Sequence, residues 1–289
     1  MCKNLIKNGA LTSPLIVYNR TNARATAFSE KFEHVKAVSS VAEAIQPADI
    51  IFSCLGDDAA VEEFTKTALQ SNDVKGKLFV DCSTIHPDTT RRVSEILELH
   101  GASFVACPVF GTPVMADAGQ LVTILSGSKE NIDRMKKYTI GVISRANIDL
   151  GDANVGGASM FKLLGNSFIL SFVETIGEGM VLCEKLGLDQ DQLKHWINLM
   201  FPGPLSMFAE RMKSGDYYQR EYPLMAVDLA RKDAQHIINL ANSVAVPVKS
   251  VEIADYYLGR VREYMGPNGD MASIYGAVRQ ASGLKFENQ

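Results

Sequence analysis

The chain has 289 residues, 46% hydrophobic and 21% charged, enough for two domains with a substantial core. A net charge of −4 excludes an electrostatic footprint for nucleic acid or an anionic membrane. The five histidines and five cysteines lack metal-site spacing, no run reaches transmembrane length, and the cysteines read as reduced thiols in a reducing compartment.

In chain order, the first half alternates. Residues 15–18 read as a strand and 21–32 as a helix. A strand follows at 49–54, a helix at 59–70, a strand at 77–81 and an amphipathic helix at 89–100. Further strands are expected at 103–109, 121–125 and 142–148, with a helix at 129–137 between the last two. Strands alternating with helices of this length imply a doubly wound, mostly parallel sheet. After about Gly151 the strand signals stop. One long apolar-periodic segment fills 155–186, followed by helical stretches at 189–200, 204–213, 223–243, 249–264 and near 270–281, punctuated by prolines. We therefore expect an α/β domain over 1–150 and an all-helical domain over 151–289. The long first helix of the second domain is expected to border a ligand cleft.

The motifs fall at the ends of these strands. Asn19, Arg20 and Thr21 follow the first strand. In a dinucleotide-binding fold an Arg there accommodates a 2′-phosphate, which favours NADP over NAD; the alternative is a solvated turn. Leu55 and Gly56 close the next strand. Asp57 and Asp58 after them read as a helix start, because no other ligands for a metal accompany them. Ser83 and Thr84 follow Asp81, where they either face a cofactor or cap the next helix. Phe110, Gly111 and Thr112 form a turn that offers N–H groups and a hydroxyl to a carboxylate, with an aromatic wall beside them; the alternative is a strained turn with a core Phe. Lys162 and Asn166, four apart on a helix, project from one face and make a small site for a polar substrate. Glycines just before them, Gly156 and Gly157, leave room for close approach to the backbone.

Taken together, these segments resemble the β-hydroxyacid dehydrogenase family, of which 3-hydroxyisobutyrate dehydrogenase is the familiar type. This family carries the NADP-binding domain of the 6-phosphogluconate dehydrogenase type. The matching pieces are Asn19-Arg20-Thr21, Asp81-Cys82-Ser83-Thr84-Ile85-His86-Pro87, Pro108-Val109-Phe110-Gly111, Gly156 with Lys162 and Asn166, Lys232-Asp233, and Gly269-Asp270-Met271-Ala272-Ser273. They occur in order over nearly the whole chain. The resemblance implies a Rossmann-like domain followed by an all-α substrate and dimerisation domain. It implies a catalytic Lys162 that exchanges a proton with the substrate oxygen, and an Asn166 that orients the substrate. Phe110, Gly111 and Thr112 would lie against the substrate. Asn19, Arg20, Thr21, Leu55, Gly56, Ser83, Thr84 and Lys232 would contact the cofactor, with Asp233 behind Lys232.

Two departures stand out. Phe110 occupies a place where the family typically carries a Ser, which suggests a larger or less polar substrate. The family also opens with a strand and a Gly-x-Gly-x-x-Gly loop ahead of a Met-x-x-Asn-Leu segment. Met1-Cys2-Lys3-Asn4-Leu5 matches only the end of that pattern, so the first strand and the pyrophosphate loop are expected to be missing and cofactor binding to be weak. The leading expectation is an NADP-dependent oxidoreductase, with NAD as runner-up cofactor, acting on a small hydroxyacid, aldehyde or semialdehyde. The alternatives are a cofactor-deficient pseudoenzyme or dimeric scaffold and, disfavoured by Lys162, an imine-reductase-like enzyme. A homodimer or homotetramer without nucleic-acid or membrane partners is expected. The expected compartment is cytoplasmic, with a mitochondrion left open by the truncated start.

Overall fold

A computed structural model describes residues 1–71 and 73–289. Contacts divide them into two compact units, Met1–Lys162 and Leu163–Gln289.

The first unit opens with helix α1 (Cys2–Asn8), strand β1 (Leu15–Val17), α2 (Asn22–Ser29), β2 (Val35–Ala37), α3 (Val41–Ile45) and β3 (Ile50–Ser53). It continues through α4 (Asp58–Ser71), β4 (Leu78–Asp81), α5 (Pro87–Leu99), β5 (Ser103–Ala106), β6 (Val109–Phe110) and α6 (Pro113–Asp117). The last pieces are β7 (Leu121–Leu125), α7 (Lys129–Met135), β8 (Ser144–Asp149) and the start of α8 (Gly157–Lys185). The expected alternation is present, and the pairing is parallel everywhere except between β6 and β7. Three short elements, β2, α3 and α6, escape the sequence reading because each is too brief to show a period.

Strand β4 sits between β3 and β5 and is buried along its whole length, as a strand covered on both faces must be. Its side chains divide by parity. Phe79, with Phe104 of β5, packs against Val61 and Ala68 of α4 and Val93 and Leu97 of α5. Leu78 and Val80, with Val105, pack against Ile132 and Met135 of α7. Helices on opposite faces make this a doubly wound layer. Local signals set the helix starts. Ser40 accepts a hydrogen bond from the Glu43 amide to begin α3, and Asp57 accepts one from the Ala60 amide at 2.8 Å to begin α4. The Asp57-Asp58 pair is thus a helix start, as expected.

The sheet is not continuous. Strands β1 and β2 form one piece, β3, β4 and β5 a second, and β6, β7 and β8 a third. Among the described residues β1 and β3 each have a strand partner on one side only. All four residues of β3 are half-buried, whereas the neighbouring β4 is fully buried. Its free edge accounts for the difference.

The second unit takes the rest of α8, then α9 (Gln190–Met200), α10 (Pro204–Lys213), α11 (Asp216–Gln219), α12 (Val227–Ser243), α13 (Lys249–Met265) and α14 (Ile274–Ala281). Helix α8 ends where Gly187 adopts φ +70° and the Leu188 amide reaches back to the Cys183 carbonyl, which closes the last turn. The core joins Leu170, Val173 and Met180 of α8 to Ala234 and Ile237 of α12, Leu258 and Val261 of α13, and Tyr275 of α14. Asp270 ties the C-terminal segment down. Its carboxylate accepts hydrogen bonds from the Leu224 amide at 2.7 Å and the Ala272 amide at 2.8 Å, and meets Arg211 Nη2 at 3.0 Å.

Candidate active site

Lys162 closes the second turn of α8, and its residue is only 8% exposed. Burying an ammonium costs free energy unless something compensates it. Part of the compensation is aromatic: Lys162 Nζ lies 4.1 Å from the centroid of the Phe110 ring. The start of α8 is held by close packing on α5. A Cβ on Gly156 would lie 3.1 Å from the Pro87 carbonyl oxygen, so the missing side chain admits protein backbone. Thr90 and Ser159 hydroxyls, 2.7 Å apart, join the same two helices.

One turn further along α8, in the second unit, Asn166 is 6% exposed and donates from Nδ2 to Asp233 Oδ2 at 2.7 Å. Asp233 itself is 3% exposed, and its other oxygen meets Lys232 Nζ at 3.1 Å. One buried carboxylate on α12 therefore fixes both the amide of Asn166 and the ammonium of Lys232. Fixing the donor end of the Asn166 amide defines the direction of its carbonyl oxygen. The sequence reading placed Asp233 behind Lys232 and missed its grip on Asn166, since the two are 67 residues apart.

The turn after β6 brings Phe110, Gly111 and Thr112 together in the first unit. Gly111 has φ +138°, and a Cβ there would lie 2.6 Å from Leu121 Cδ2, so both backbone angle and space demand glycine. Thr112 caps α6 by accepting the Met115 amide, and Pro113 occupies the first turn, where it brings no N–H.

At the ends of β3 and β4 the hydroxyls organise the strands. Asp81 is buried and accepts hydrogen bonds from Ser53 Oγ and Ser83 Oγ, each at 2.7 Å. Ser83 Oγ in turn accepts the Leu55 amide at 2.8 Å. Burial pushes the Asp81 carboxyl above its usual range, against the lowering effect of these donors. This network holds Leu55 and Gly56 level with Ser83 and Thr84 at the carboxyl edge of the sheet, where ligands of this fold class bind. Asp81 and Ser53 are its centre; the signal for them was a strand-final serine on β3 and a strand-final acid on β4 with Ser83 two residues on. After β1, Asn19 accepts the Thr21 amide at 2.9 Å and closes a tight turn that leaves Arg20 exposed. That donor set, one guanidinium with amide and hydroxyl neighbours, suits a phosphate on an adenosine ribose. Among the described residues no cluster of three or more His, Cys, Asp or Glu side chains stands ready for a metal.

The NAD binding domain of 6-phosphogluconate dehydrogenase matches residues 1–145. An NADH-dependent oxidoreductase of Aspergillus ustus, ucdB, is 36% identical over 99% of this chain and 97% of its own length. The chain belongs to the 6-phosphogluconate dehydrogenase-type NAD-binding family. A 3-hydroxyisobutyrate dehydrogenase from Salmonella typhimurium shares the fold, with TM-score 0.81 and 17% identity over 94% of this chain and 93% of that one. The cytokine-like nuclear factor N-PAC of Xenopus tropicalis is 26% identical over 95% of this chain, which spans about half that protein's length. Membership of this dehydrogenase family accords with an NAD(P)-binding first domain and with the Rossmann-like layer followed by helices.

Proposed function

We propose that this chain is an NADP-preferring oxidoreductase of the 3-hydroxyisobutyrate dehydrogenase type, moving hydride between a nicotinamide and a small hydroxyacid, aldehyde or semialdehyde. One observation carries the reading: a buried lysine, Lys162, one helical turn from an asparagine whose amide is fixed by a buried acid. A bound dihydronicotinamide would supply the hydride. Lys162 supplies the proton to the carbonyl oxygen in reduction and withdraws it from the hydroxyl in oxidation. Asn166 orients the substrate through hydrogen bonds, and Asp233 keeps it in register. Gly111 and Thr112 line the substrate, Lys232 approaches the cofactor, and the edge formed by Leu55, Gly56, Ser83 and Thr84 supports it. Asn19, Arg20 and Thr21 take the ribose phosphate.

A second reading, a cofactor-deficient scaffold, is favoured by the divided sheet. Among the described residues β1 and β3 are each paired on one side only, so the β1–β2 piece does not run on into β3–β4–β5. The two readings separate in one experiment. Oxidation of NADPH is followed with a panel of short aldehydes and semialdehydes, and reduction of NADP with short hydroxyacids. Turnover that is lost on Lys162→Ala supports the enzyme; absence of turnover favours the scaffold.

A further inference from the structure

We propose that the Phe110 wall makes this site selective for an uncharged carbonyl compound with an aryl or branched alkyl group beside the reacting carbon, and that it rejects short carboxylated aldehydes. The inference rests on the reading of Lys162 as proton donor and narrows its substrate class.

The geometry leaves little room for another choice. An oxygen that takes a proton from Lys162 must approach within about 3 Å of Nζ. That nitrogen already stands 4.1 Å above the Phe110 ring centroid. The group attached to the reacting carbon therefore lies in van der Waals range of the ring or its surroundings. Those surroundings are apolar: Phe110 packs against the cluster that holds Ile124, Ile148, Val155 and Phe161. Leu121 presses on the Gly111 backbone from the same side.

A carboxylate placed there needs donors to replace its water. The turn offers few. The Thr112 hydroxyl, which accepts the Met115 amide as the cap of α6, keeps one O–H to donate, and Pro113 lacks an N–H. Within residues 109–118 the only charged side chain is Asp117, which repels a second carboxylate. The Lys162 ammonium has three N–H donors, one of which goes to the reacting oxygen, while its face toward Phe110 is covered by the ring. An aryl or branched alkyl group meets the opposite situation. It needs no donor, buries apolar area, and an aryl ring packs offset or edge-on against Phe110.

The test compares wild type with Phe110→Ser and Phe110→Leu. Initial rates are measured with NADPH and with NADH on phenylacetaldehyde, isovaleraldehyde and succinate semialdehyde. In parallel, calorimetry or ligand-observed NMR measures binding of two unreactive probes, phenylacetamide and succinamate. We expect wild type to favour phenylacetaldehyde over succinate semialdehyde in kcat/KM by roughly 10-fold or more. Phe110→Ser should shrink that ratio by a similar factor, with Phe110→Leu retaining the preference for isovaleraldehyde. A wild-type preference for succinate semialdehyde, or a ratio unmoved by Phe110→Ser, overturns the inference. If no carbonyl is reduced, the enzymatic reading fails and the probes decide selectivity alone. Tighter phenylacetamide binding supports the Phe110 wall; tighter succinamate binding refutes it. Wild-type binding answers the question even if a variant does not fold.

Discussion

Asn166 and Asp233 show how much of this site rests on single side chains. Removing a buried carboxylate that holds an amide and an ammonium takes a partner from each. Asp233→Ala should lower kcat/KM by roughly 10- to 100-fold, mostly through kcat, because Asn166 loses its fixed direction. Asp233→Asn keeps an acceptor for Asn166 and should recover part of the loss; equal defects in both variants would deny the positioning role. The role proposed for Arg20 concerns the cofactor alone. Arg20→Asp should reduce the ratio of NADPH to NADH affinity, measured by fluorescence titration, and an unchanged ratio would refute its assignment. Lys162, Asn166 and Arg20 were legible in the sequence because helical spacing and strand ends place them. The Asn166–Asp233 bond and the Lys162–Phe110 contact were not, since each joins distant segments that only tertiary packing brings together.

Among the elements, α8 carries the most. It was readable as one helix because 155–186 holds an unbroken apolar period without proline, and its observed span is Gly157–Lys185. Further along it, Glu174 is buried and its carboxyl is pushed up to about 7, first by burial and then by its hydrogen bond with Glu178 and that neighbour's charge. Tyr257 is also raised, by burial and by these two acids. A folded-state value above the ordinary 4.5 means the folded chain holds the proton more tightly than the unfolded chain. That contribution to stability is complete below about pH 4.5 and is lost as pH rises through about 7. The melting temperature of wild type should therefore fall between about pH 5 and about pH 8 by more than that of Glu174→Gln. Parallel melting curves for the two proteins would contradict the shared-proton picture. The short elements β2, α3, α6 and α11 were invisible to pattern reading; capping residues such as Ser40 and Thr112 mark two of them in retrospect.

At the scale of the molecule, an α/β unit followed by a helical unit was readable from the change of period near Gly151. The division of the sheet into three pieces was not, because pairing between strands leaves no trace in the pattern of any one strand. In the helical unit Asp270 draws three segments together through Arg211 and the amides of Leu224 and Ala272. Arg211 keeps Asp216 as a second carboxylate, so Asp270→Ala mainly leaves the Leu224 and Ala272 amides without their acceptor and should cost about 1–3 kcal/mol in urea unfolding; a loss under about 0.5 kcal/mol would show the clamp to be dispensable. The account as a whole depends on Lys162 acting on the substrate oxygen, and its most direct test is the turnover of Lys162→Ala with saturating NADPH and the best carbonyl of the panel. A fall of roughly 10²–10⁴-fold with cofactor affinity unchanged is the expected result, whereas turnover within a few-fold of wild type would contradict it.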